Sequence, residues 1–160
     1  MYLWNIKALA TELRSGALPQ RERMKYYLVF VVLGTIAAEM AYYVPQPVSA
    51  PLIVSSSTLI LGGALGTYAT YRVNRRGDDL EFIDRSMCLG LPIILRLVVV
   101  AMPVYIAYFV VGSLIGGEAF DRFTVHTTWI DVGFYAALLA AFYWRLAHHL
   151  SLVSKSNEVA

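Results

Sequence analysis

Three ionisable side chains, Glu39, Arg96 and Asp131, interrupt stretches of sequence that are otherwise uncharged: residues 26–70, 86–117 and 123–144 hold no other Asp, Glu, Lys or Arg. In hydrocarbon each costs several kcal/mol unless it is paired, hydrated or neutralised, so these are the first residues to examine for a polar pathway. Arg96 cannot shed its charge. It lies between Pro92 and Pro103, each of which removes a helical hydrogen bond and frees a carbonyl, at Cys88 and Val99. A bent helix with free carbonyls around an arginine could line an anion or proton path, with Tyr105 and Tyr108 as donors in its outer half; prolines are equally ordinary in membrane helices. Glu39 falls about 6 Å inside the outer end of its apolar run. A direct Glu39–Arg96 pair would bridge a depth gap of about 8 Å, whereas Arg96 can instead extend toward the inner-leaflet phosphates. Asp131 follows Trp129 at the start of the last run, where a helix N-terminus favours an acid, and capping is the simpler account.

The remaining chemistry is sparse. Cys88 is the single cysteine, which excludes an intrachain disulfide and a cysteine-rich zinc site. His148 and His149 are consecutive and point about 100° apart on a helix, so they cannot chelate one metal as an i, i+4 pair does. The sequence carries no nucleophile–base pair, metal cluster or cofactor motif. The expectation is a non-enzymatic protein without cofactor or metal.

The elements that must position these residues cross a membrane. The chain has 160 residues, 58% of them hydrophobic and 15% charged, and a net charge of +2, too small to argue for nucleic acid. Its mean hydropathy is +0.58. About 20 apolar residues are needed per crossing. Four segments qualify, at 26–43, 51–71, 88–113 and 128–147, bounded by Tyr26, Tyr27, Tyr42, Tyr43, Tyr71, Trp129, Tyr143 and Trp144 at interfacial depth. The fold expected is all-α: a four-helix transmembrane domain over 26–150, preceded by a cytoplasmic amphipathic segment over 1–25 and followed by a short tail, 151–160.

Orientation follows from the basic residues. Eleven Lys and Arg fall before the first span, between the second and third, and after the fourth, against Arg122 alone on the other side. Both termini are therefore expected in the cytoplasm, with the chain in the plasma (inner) membrane. The Val48-Ser49-Ala50 triplet has the small residues of a signal-cleavage site, but prolines surround it and the first run reads as retained.

In the N-terminal segment Leu3, Ile6, Ala10 and Leu13 recur at helical spacing opposite Lys7, Thr11, Glu12 and Arg14, and Ser15-Gly16 supplies a stop. Such a helix either lies on the inner leaflet, docks a partner, or packs under its own bundle. In the second span Thr58, Gly62, Gly66 and Thr70 share one face, which admits a neighbouring helix at close range; Gly133, Ala137 and Ala141 form a weaker version in the fourth. The neighbour belongs to this chain or to another copy, the former being the simpler case. The connector 72–85 mixes four bases and four acids around Gly77 and matches no phosphate-binding loop; with residues 1–25 it forms the surface open to a cytoplasmic partner.

The fragment Gly34-Thr35-Ile36-Ala37-Ala38-Glu39 resembles the first helix of the small multidrug-resistance transporters over those six residues. The chain departs from that family in its N-terminal segment, its charged connector and its arginine. The resemblance implies a small proton-coupled carrier using Glu39, here joined by Arg96, as the alternative to the leading expectation. That expectation is a membrane subunit acting through assembly with copies of itself or with other membrane chains.

Overall fold

The computed structural model describes residues 2–42, 47–115 and 127–154, and five helices make up almost all of them. They are α1 (Ile6–Arg14), α2 (Gln20–Tyr42), α3 (Ala50–Arg75), α4 (Phe82–Ile115) and α5 (Trp129–Val153). No strand occurs among the described residues. Helices α3, α4 and α5 are each long and apolar enough to cross a membrane. In α2 the apolar stretch runs from Tyr26 to Ala38 between Lys25 and Glu39, and the expected end of that span, Tyr43, lies outside the described residues.

Local chemistry sets the boundaries. Asn5 caps α1 by accepting from the Ala8 amide, and Gly16, at φ +67°, turns the chain out of it. Ser49 caps α3 by accepting from the Leu52 amide. The triplet that looked like a cleavage site is thus the start of a helix. Thr128 and Asp131 form a reciprocal capping box on α5.

The helices do not pack in chain order. α5 touches α1, α3 and α4, and α2 packs against α4. The pairs α3–α5 and α2–α4 run parallel. Along the first, Gly62 faces Leu139, Gly66 faces Tyr143 and Gly77 faces Ser154, at one constant separation in sequence. Along the second, Arg23 near the start of α2 pairs with Glu81 and Asp84 at the start of α4.

The packed core sits at one end, where the charged segments gather. Ile6, Leu9, Ala10 and Leu13 of α1 are buried together with Leu89, Leu91 and Ile93 of α4 and with Leu146, Leu150 and Val153 of α5. One open reading closes and two expectations change accordingly. The apolar face of α1 is covered by its own chain, so it is not free to lie on the leaflet. Cys88 to Ile93, expected as the first turns of a lipid-facing span, form a collar in which α4 is buried on all sides. Tyr26, expected at the membrane interface, is fully buried and accepts a hydrogen bond from the Tyr2 amide. Beyond this collar the bundle is open. Only 6% of the most apolar window of each of α3, α4 and α5 is buried.

The connector between α3 and α4 closes the collar. Arg85, 4% exposed, donates to both carboxylate oxygens of Asp78 at 2.6 and 2.7 Å. Asn74, fully buried, donates to the Leu80 carbonyl at 3.1 Å and receives Arg85 at 3.4 Å. Gly77 admits no side chain, since a Cβ there would stand 2.2 Å from the Ser154 carbonyl oxygen. Of the other connector acids, Glu81 and Asp84 go to Arg23 of α2, while Asp79 is exposed.

The Arg85 guanidinium holds the Asp78 carboxyl below its ordinary value of 3.8. A carboxyl depressed in the folded state stabilises the fold while ionised, so its contribution is full above about pH 4 and fades as the pH falls further. Asp78→Asn should therefore lower stability at neutral pH by on the order of 3 kcal/mol, the scale for removing one partner of a buried pair. Thermal unfolding in mild detergent at pH 7 and pH 3 checks this: the gap between wild type and variant should narrow at the lower pH, and an equal gap at both removes the pair from its assigned role.

Candidate functional site

Arg96 sits one turn beyond the collar, and its position shows what it touches. It is half-buried on α4, and its guanidinium donates to the Trp4 backbone carbonyl. The same group stands 6.0 Å from the centre of the Trp4 ring, at the limit of a cation–π contact. Helical side chains lean toward their own N-terminus, which brings Arg96 down to the N-terminal segment. Trp4 is 67% exposed, so ring and guanidinium together make an amphipathic rim on the collar. The sequence offers Glu39 or lipid phosphate as the partner, and the structure gives the Trp4 carbonyl. The signal for Trp4 was its place beside the apolar face of α1, just ahead of Ile6.

Glu39 lies exposed on α2 and forms no ion pair or hydrogen bond among the described residues. The structure does not bring it to Arg96. Asp131 is occupied at the N-terminus of α5, where one carboxylate oxygen accepts from the Thr128 amide and hydroxyl, both at 2.8 Å. Pro92 is buried in the collar while Pro103 is exposed, and α4 continues through both. The polar-pathway residues are thus dispersed: Asp131 serves a cap, Arg96 holds the N-terminal segment, and Glu39 stands apart. His126 lies outside the described residues. The rings of His148 and His149 meet edge to face at 5.4 Å, and no group of three metal-ligating side chains occurs among the described residues.

The small-residue face of α3 does bring groups together. A Cβ on Gly62 would stand 2.5 Å from Leu139, and one on Gly66 would stand 2.3 Å from the Tyr143 ring, so both glycines allow α5 to approach. Tyr143 crosses this face and donates its hydroxyl to the Gly63 carbonyl at 3.0 Å, with Thr67 Oγ1 at 3.1 Å. Thr70 turns its own hydroxyl back onto the carbonyls of Gly66 and Thr67. The partner surface on α5 is made by Leu139 and Tyr143; Gly133, one of the small residues that the sequence suggested, faces open space. Asn74 and Ser55 extend the buried stripe at its two ends. Asn74 was legible in principle, since it continues the four-residue spacing from Thr70.

Where α3 and α4 diverge over α5 they leave a cavity of about 390 Å³, reached by Phe30 of α2 and lined by Thr70, Phe82, Ser86, Phe142 and Tyr143 among others. The Ser86 hydroxyl is buried without a hydrogen-bond partner. A shallower groove of about 600 Å³ continues from it along the outside of α3, sharing Thr67, Phe82 and Tyr143. No protein-family model, curated protein or solved structure matches the chain.

The Arg96–Trp4 contact carries a direct test. Arg96→Met keeps most of the side chain's length and removes its donors. It should speed amide exchange across residues 2–5 about tenfold, as expected for loss of one hydrogen bond to a charged group, worth about 1.5 kcal/mol. Exchange in α3 and α5 should stay as in the wild type. Unchanged exchange at the N-terminus combined with lost activity in cells would instead return Arg96 to a polar pathway.

Proposed function

We propose that this is a non-enzymatic integral membrane protein of the plasma (inner) membrane that acts through assembly, as a subunit of a homo-oligomer or of a larger membrane complex. In this reading α2 is a fourth span beside α3, α4 and α5, and both ends face the cytoplasm. The observation that carries the proposal is the contrast along the helices between a collar packed on all sides and spans whose apolar faces stay uncovered. Leu28, Val32 and Ile36 of α2, Ile60 and Leu65 of α3, and Val100 and Val104 of α4 are all exposed. Lipid satisfies such faces, and so do the helices of neighbouring chains. An inner end packed on all sides, carrying helices whose outward apolar faces are uncovered, suits a subunit that presents surfaces to others.

The orientation rests on the Lys/Arg asymmetry, and the collar gathers those same basic segments at one end. A cytoplasmic partner would meet the polar side of α1, with Lys7 and Arg14, and the arginines of the connector. The carrier alternative draws less support, because Arg96 is engaged by Trp4 and none of the described cavities is lined by Glu39.

Purification in mild detergent should yield particles holding several copies of the 17.8 kDa chain, or stoichiometric foreign subunits, by native mass measurement. A lone chain across the accessible concentration range, without companions, overturns the assembly reading. A reporter active only outside the inner membrane, fused to the C-terminus, should be silent, and strong activity there would sink the four-span topology.

A further inference from the structure

Three of the connector's four acids, Asp78, Glu81 and Asp84, are taken by Arg85 and by Arg23 of α2, and the fourth, Asp79, is exposed. Arg72, Arg75 and Arg76, at the end of α3, are left without a carboxylate among the described residues. These three line a pocket of about 420 Å³ with Tyr68 and Tyr71, and no acid lines it. The Arg72 guanidinium stands 6.0 Å from the centre of the Tyr68 ring, at the limit of a cation–π contact. Three fixed cations around one concavity repel one another unless an anion enters between them.

The pocket does not end at the arginines. Tyr68 and Tyr71 also line the groove along α3, which continues past Ala64 and Gly63 to Ile60 and joins the cavity behind Phe82 and Tyr143. Cationic at one end and apolar along its length, the site lies at the expected inner boundary of a membrane span, with tyrosines at the junction. That is the pattern of an anionic headgroup followed by an acyl chain. A soluble phosphate would use the arginines and leave the groove empty.

We propose that Arg72, Arg75 and Arg76 bind the headgroup of an anionic glycerophospholipid of the inner leaflet, with one acyl chain laid along the α3 groove. The proposal rests on the membrane reading above. It is independent of any assembly. The arginines supply charge and donors to the phosphodiester, and the groove supplies apolar contact that a free phosphate cannot use.

The test uses the full chain in mild detergent, with phosphatidylglycerol or phosphatidylcholine added to the micelles and thermal stability and native mass as readouts. Phosphatidylglycerol should raise the melting temperature and stay bound in the mass spectrum, and phosphatidylcholine should do neither. Arg72→Gln with Arg75→Gln should weaken half-saturation about twenty-five-fold, on the scale of about fivefold per basic residue near an anionic surface. The charge-matched pair Lys7→Gln with Arg21→Gln should leave it unchanged. Gly63→Leu fills the groove at a position whose nearest neighbour is the Tyr143 hydroxyl, 3.9 Å from a Cβ, and should weaken lipid binding while the arginines remain. Equal losses in the two charge-matched pairs would mean bulk attraction only and overturn the proposal. Equal stabilisation by glycerol 3-phosphate would assign the pocket to a free phosphate instead. Alkaline carbonate extraction reads membrane insertion separately, so a chain that stays in the membrane without lipid selectivity refutes this site and leaves the membrane reading intact.

Discussion

The rest of the structure depends on the burial of α4 between Cys88 and Ile93. Over those six residues the helix is enclosed on every side, which requires α1, α2 and α5 to converge on it. α1 is too short to be stable alone, since an isolated helix of nine residues is marginal in water. It exists because Ile6, Leu9 and Leu13 have α4 and α5 to lie against. Once α1 is seated, Tyr26 can accept from the Tyr2 amide and Arg96 can reach Trp4, so two groups that would be costly in hydrocarbon acquire partners at the rim.

The connector turns this convergence into a fixed geometry. Arg85 and Asp78 form their two-pronged pair beside buried Asn74, and Gly77 lets the end of α5 lie directly on the chain. A buried ion pair contributes little net energy against an apolar substitute, but it tolerates little misplacement of either helix. Beyond the collar α3 and α5 stay together as far as Gly62 and Leu139, while the outward apolar faces of the helices are left uncovered.

How much of this was legible depended on whether a residue's role followed from periodicity or from an encounter in space. The long apolar helices, the α1 face, the Gly62/Gly66 stripe and the Asp131 cap were readable, because charge-free runs, helical spacing and capping chemistry are local signals. The collar was hidden for a physical reason. Residues 88–93 are apolar whether they face lipid or protein, so composition could not separate the two. Aromatics are ambiguous in the same way. Tyr26 and Tyr143 stand near the ends of apolar runs, where an interfacial tyrosine also belongs, yet one is buried under α1 and the other fills the space that Gly66 leaves. Arg96 was singled out correctly as unusual, but its partner lies 92 positions away in the chain, and no spacing rule relates the two.

The parallel pairing of α3 with α5 has a consequence for the order of events during synthesis. α3 is complete once residue 75 has left the ribosome, but the helix that covers its glycine face begins only at Trp129. At about 5–20 residues per second, several seconds separate the two. Throughout that interval the Thr58–Thr70 face has no α5 to lie against. The helix that begins at Trp129 is therefore the one that completes α3, and a nascent chain released before it is made would expose the surface that close packing later conceals.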